Sequence, residues 1–104
     1  MRRDVFQAIA DPTRRDIINI LSKEALSVNE IAERFDMSRP AISKHLKILN
    51  ECRIVQFKKM GRERICLIQP QELVPAFLWI NQYHKLWEAR IDAFEQYVNQ
   101  LKTK

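Results

Sequence analysis

In the stretch SRPAISKHLKILNE, residues 38–51, the polar residues Arg39, Ser43 and Lys47 recur at steps of four, while Ile42, Leu46 and Leu49 take the phase between them. On a helix this spacing turns an apolar stripe toward the protein and leaves a guanidinium, a hydroxyl and an ammonium on the outward side. Such a face donates hydrogen bonds and positive charge, so its chemistry suits a partner rich in acceptor oxygens. Arg39 stands at the N-terminal end and carries a planar fork of donors matching O6 and N7 of guanine, which makes it the candidate base reader. Ser43 and Lys44 follow on that side, and Lys47, a turn further back, suits a phosphate. Ser38 offers its hydroxyl and N–H to a phosphate at the helix N-terminus, and Pro40 fits the first turn, where a missing N–H costs nothing.

The charge distribution points to the same kind of partner. Residues 1–38 hold six Lys/Arg against seven Asp/Glu, and residues 65–104 hold four against four, whereas residues 39–64 hold eight against two. The whole formal surplus of +5 is therefore carried by one short segment. A polyanion explains that segregation better than solubility does, and nucleic acid ranks ahead of a membrane because no Trp/Leu-rich apolar face accompanies the charge. Lys58, Lys59, Arg62 and Arg64 extend the basic set beyond the helix.

The elements that position these residues are legible from caps and periods. A first helix is predicted over about residues 3–10. A second follows Asp11 as N-cap with Pro12 at its first position, and its buried stripe is Ile17, Ile20 and Leu21. Ser27 with Glu30 three residues on is a capping box opening a third helix, whose inward residues are Ile31, Ala32 and Phe35. Only Asp36 and Met37 separate that helix from Ser38, a helix-turn-helix spacing, with Asp36 the residue placed to take up a left-handed conformation. After Cys52 the period becomes that of strands: IVQFKK and RERICLI flank the only glycine, Gly61, as a hairpin with a basic tip, which is a wing. From Pro75 to about Leu101 a single helix of roughly 40 Å is predicted. Its stripe of Ile80, Tyr83, Trp87, Ile91, Phe94, Val98 and Leu101 is too long for so small a domain to cover. That stripe reads as a dimer seam, with Phe6 of the first helix joining it.

Other chemistries find little in the chain. No Ser/His/Asp set is suggested by spacing, and one glycine excludes a Gly-rich phosphate loop, so the protein is not read as an enzyme. His45 lies at the edge of the buried stripe, where a hydrogen-bonded structural histidine is the reading. Cys52 and Cys66, 14 residues apart, match no metal or redox spacing, and Trp79 and Trp87 read as core. The N-terminus does not read as a signal peptide and no apolar run reaches 18 residues, so the chain is placed in the cytoplasm, where its thiols stay reduced.

With these residues placed, the chain resembles the ArsR family of small bacterial winged helix-turn-helix repressors. The matching stretches are AIADPTRRDIINIL, SVNEIAERFDMSRPAISKHLKIL and the wing through Ile68. The resemblance implies an α-α-α-α-β-β-α protomer, a homodimer through its first and last helices, and repression from an operator near its own promoter. Metal-sensing members commonly carry Cys-x-Cys where this chain has Ser27 and Asn29, which are not soft ligands, and the last helix offers only His84 with Glu88 and Asp92. No metal site and no cofactor are therefore expected.

The combined reading is a mainly α protein with a small β-hairpin. It is a single winged helix-turn-helix domain over residues 1–104, with residues 1–10 and 74–102 as dimerisation helices. Its partners are double-stranded DNA, read as an inverted repeat through helix 38–51 and a basic wing 54–68, and a second copy of itself. No membrane is involved, and an unidentified effector or protein partner stays open. Two rivals also stay open: a winged helix that docks protein through the same scaffold, and a thiol-responsive repressor using Cys52 and Cys66.

Overall fold

The computed structural model describes residues 3–102. They fall into two compact units, one ending at Val74 and one beginning at Pro75.

The first four α-helices each start at a side-chain cap. Asp4 accepts from the Gln7 N–H and opens α1, Val5–Ala8, shorter than the residues 3–10 predicted. Asp11 accepts from the Arg14 N–H and opens α2, Pro12–Leu21. Ile17, Ile18 and Leu21 form the buried face of α2; Ile20, predicted inward, is only half-buried. Ser27 and Glu30 make the predicted capping box at the head of α3, Val28–Arg34, each side chain bonding the other's backbone N–H at 2.9 and 3.1 Å. Ser38 caps α4, Arg39–Glu51, by accepting from the Ala41 N–H.

The turn between α3 and α4 corrects one expectation. Asp36 is not left-handed, because the chain changes direction through extended conformations at Phe35 and Ser38. Among the described residues the one non-glycine with positive φ is Arg53, at 67°. There the Arg53 N–H bonds the Asn50 carbonyl and the Ile54 N–H bonds the Leu49 carbonyl, which is a Schellman ending, and Leu49 and Ile54 are fully buried behind it.

The wing follows as β2, Val55–Met60, and β3, Glu63–Ile68, turning at Gly61 with φ 64° as expected. Its sheet has a third strand that the sequence did not announce. The pair Leu26–Ser27, β1, lies antiparallel along the other edge of β3 opposite Cys66 and Ile65. The core of this unit gathers Ile17, Ile31, Ile42, Leu46, Leu49, Ile54, Val55 and Cys66, all essentially inaccessible to solvent.

After a 3-10 turn at Pro70–Leu73, the second unit departs from the predicted single helix. It comprises α5, Val74–Asn81, α6, His84–Ala89, and α7, Ile91–Lys102. At the first break the Gln82 side-chain amide donates to the Trp79 carbonyl at 2.7 Å, taking the acceptor that the Tyr83 N–H would use in an α-helix. The Tyr83 N–H turns instead to Ile80, a tighter three-residue bond. At the second break Arg90 bonds back only to Trp87, and the Trp87 and Phe94 rings stack at 5.9 Å. Residues seven apart on a straight helix would stand about 10 Å apart along its axis. Neither break involves Gly or Pro.

Candidate nucleic-acid interface

At about 100° per residue, Arg39, Ser43, Leu46, Lys47 and Asn50 fall within one arc of α4 roughly 100° wide. The structure bears this out: the five side chains line one wall of a groove of about 410 Å³. The facing wall comes from the wing, with Phe57 and Arg64, and Val28 at the head of α3 closes the floor. Asn50 was missed in the sequence because it stands at the end of the helix, although the steps 39, 43, 47, 50 continue one face. Its amide donates to the Val55 carbonyl at 2.9 Å and fastens α4 to the start of the wing. Lys44 is exposed but lies off this wall, so the structure separates it from Arg39, Ser43 and Lys47. Ser38 and Pro40 are exposed at the head of the helix.

The strand register sorts the wing cations. Phe57 pairs with Cys66 and Lys59 with Arg64, so these four share the face whose inner end is buried, while Lys58 projects from the opposite face. Arg64 lies diagonal to Phe57 and sets its guanidinium 4.1 Å from the ring centre, a cation–π contact that holds the charge at the groove wall. Arg62 and Arg64 also border a smaller recess of about 80 Å³ with Arg39, Ser27 and Asn29. Arg39, Lys44, Lys47, Lys58, Lys59, Arg62 and Arg64 make no ion pair within the described residues. Among the described residues, Glu63 in the recess is the only acid lining either concavity.

What holds α4 in place was not legible as such. Arg14, in the stretch DPTRR, is buried: its Nε donates to the Ala8 carbonyl at 3.0 Å and one Nη to the Gln7 carbonyl at 2.9 Å, while the other lies 3.4 Å from His45 Nδ1 on α4. One guanidinium thus ties the end of α1, the head of α2 and the middle of α4 together. His45 is hydrogen-bonded and structural, as read from its phase, and Asp11 stands 3.9 Å from the same ring nitrogen. Burial pushes the Asp11 carboxyl up, but the bond from the Arg14 N–H and the charges of His45 and Arg14 outweigh it and leave the group below its ordinary value. At the other end of α4, Glu51 accepts from Arg3 at 2.7 Å.

Both cysteines are buried, and burial raises both thiols, that of Cys66 to about 11 despite the nearby Arg64 charge. Such thiols carry little thiolate at neutral pH, which weighs against the thiol-responsive rival. Of the seven residues assigned to the dimer seam, Trp87 and Val98 are half-buried, and Phe6, Ile80, Tyr83, Ile91 and Phe94 are exposed on the single chain. His84 sits 3.3 Å from Glu88 on α6, and Asp92 belongs to the next helix. No described helix is long and apolar enough to cross a membrane.

The family described as bacterial regulatory protein, arsR family, matches residues 11–56, from the cap of α2 into β2. Over 94 residues the chain is 32% identical to the HTH-type transcriptional regulator Rv2034 of Mycobacterium tuberculosis, covering 90% of this chain and 85% of that protein. It is 41% identical over 59 residues to the transcriptional repressor SdpR of Bacillus subtilis, covering 57% of this chain and 66%, just under two thirds, of that one. Among solved structures, the crystal structure of an ArsR family transcriptional regulator matches with a TM-score of 0.71 at 37% identity, over 80% of this chain and 91% of the other.

Proposed function

Since the chain belongs to the ArsR family and is a DNA-binding transcriptional regulator rather than an enzyme, we propose that it is a cytoplasmic homodimeric repressor whose two α4 helices enter successive major grooves of an inverted-repeat operator. Arg39 reads a guanine in each half-site, Ser43 lies beside it, and Ser38, Lys44 and Lys47 hold phosphates, with Pro40 starting the helix. Lys58, Lys59, Arg62 and Arg64 of the wing take backbone phosphates on the flank. The second copy docks through Phe6 and the apolar residues Ile80, Tyr83, Trp87, Ile91, Phe94 and Val98 of the 74–102 segment. Autoregulation from an operator near its own promoter is what the family resemblance implies, and no metal enters the reading.

One observation carries it: Arg39, Ser43, Lys47 and Asn50 share one wall of a groove whose other wall is the basic wing, and the cations there have no acidic partner among the described residues. A protein-docking helix would expose apolar or aromatic anchors on this arc, whereas here Leu46 is buried and the exposed residues are all polar. The test is the salt dependence of binding to duplex DNA. Replacing Lys58, Lys59 and Arg62 together by Ala leaves up to three phosphates per protomer without their cation. It should weaken binding to every sequence and flatten the slope of log K against log salt by about 0.9 for each phosphate no longer neutralised. An unchanged slope would remove the wing from the interface.

A further inference from the structure

The groove between α4 and the wing holds more than duplex DNA asks of it. Its cations stand on the walls: Arg39 and Lys47 on the helix side, Arg64 on the strand side. Its apolar lining is the half-buried Phe57 together with the buried Val28 and Leu46, and no carboxylate among the described residues lines it. A DNA backbone is a ridge of hydrated phosphates that meets rim cations and gains nothing from an aromatic lining. A volume of about 410 Å³ falls within the range of small-molecule sites, which combine apolar lining with a few convergent polar groups. Charge complementarity selects the occupant. Three cations around one aromatic side chain, with the Ser43 hydroxyl and the Asn50 amide in the same lining, fit a planar aromatic ring bearing a carboxylate.

We propose that this groove binds a small aromatic carboxylate, whose anionic group pairs with Arg39 and Lys47 while its ring lies against Phe57. The inference rests on the assignment of Arg39 and Lys47 to DNA, because it gives the ligand a consequence. The same two side chains cannot hold carboxylate and DNA together, so the bound ligand lowers the affinity for DNA and acts as an inducer. By linkage, DNA lowers the affinity for the ligand by the same factor.

The experiment uses the full chain labelled with nitrogen-15 and 1-naphthoate as the probe. Saturable amide shifts are expected at Val28, over residues 39–50, and at Phe57 and Arg64, with a dissociation constant of about 1 mM for a ligand of this size. Inorganic phosphate at equal ionic strength should give no saturable shift there. Phe57→Ala, checked for folding by circular dichroism, should weaken naphthoate about tenfold, and Phe57→Leu less, because the lining stays apolar without its ring. Naphthoate should displace a fluorescent duplex from the wild type and do so less well from the Phe57→Ala chain. Shifts confined to residues 74–102, or equal effects of phosphate and naphthoate, would overturn the site. Saturation of the groove without loss of duplex would overturn the inducer role. Groove shifts in a protein that binds no duplex would support the ligand site and sink the DNA assignment of Arg39 and Lys47 instead.

Discussion

Replacing Arg14 by Met tests whether the buried guanidinium holds the DNA-facing helix in place. Methionine keeps most of the volume and removes every donor. The groups removed are the 3.0 Å bond to the Ala8 carbonyl, the 2.9 Å bond to the Gln7 carbonyl and the weaker 3.4 Å approach to His45. Gln7 keeps a second partner, the Ala10 N–H at 3.3 Å, so the Ala8 carbonyl bears most of the damage. Hydrogen bonds from a charged donor contribute about 1.5–3 kcal/mol each, and releasing the desolvation cost of the arginine offsets part of their loss. A net destabilisation of about 2–4 kcal/mol is expected, a large share of the roughly 5–15 kcal/mol that holds a small domain. In urea, with a slope of about 1–2 kcal/mol per M, the unfolding midpoint should drop by about 2 M. Arg14→Lys should fall between, since one ammonium cannot reach all three acceptors. An NMR titration gives an independent readout: without the Arg14 charge, the Asp11 carboxyl should move up toward its ordinary value of 3.8. A midpoint within about 0.3 M of wild type would mean that water replaces the guanidinium and that Arg14 does not hold the three helices together.

Arg39→Ala should cost about 1–3 kcal/mol per half-site on the operator and far less on random duplex, whereas Lys47→Ala should weaken both alike; equal loss in both assays for both variants would make Arg39 a backbone contact. Trp87→Glu places a charge in the proposed seam, so sedimentation should show monomer or unfolded chain, and a well-folded dimer would refute the seam. Arg53→Gly should raise stability by about 0.5–1 kcal/mol in chemical denaturation, because the relief of a left-handed arginine exceeds the entropy that glycine adds to the unfolded chain; a loss would show that the arginine side chain outweighs its backbone strain. The Cys66 thiol is held at about 11 in the folded state against 9.0 as a free thiol. Its contribution to stability is therefore complete below pH 9 and is lost as pH rises toward 11, and iodoacetamide at pH 8 should label it only after unfolding. Labelling of the native chain as fast as in urea would contradict the burial.

The features legible in the chain alone are local or periodic. Asp11, Ser27 with Glu30, and Ser38 begin helices because each cap needs only a partner two or three residues away, and Gly61 turns the wing because no side chain competes for its positive φ. The step of four in 39–47 announced the outward face of α4, and the apolar steps announced its buried one. The remaining features depend on residues far apart in the chain, which meet only on folding. The Leu26–Ser27 strand exists because β3 offers it an edge some 40 residues later. Arg14, an ordinary basic residue in a charged stretch, is buried because the α1 carbonyls and His45 converge on it. Asn50 and Phe57 join the functional groove only once the hairpin folds back against α4. The left-handed turn fell at Arg53 rather than Asp36 because burying Leu49 and Ile54 together required the chain to reverse there. The long apolar stripe set the pattern of the last helices but not their continuity. A single glutamine amide competing for the Trp79 carbonyl, and two rings meeting across Arg90, broke a helix that contains neither Gly nor Pro at its breaks.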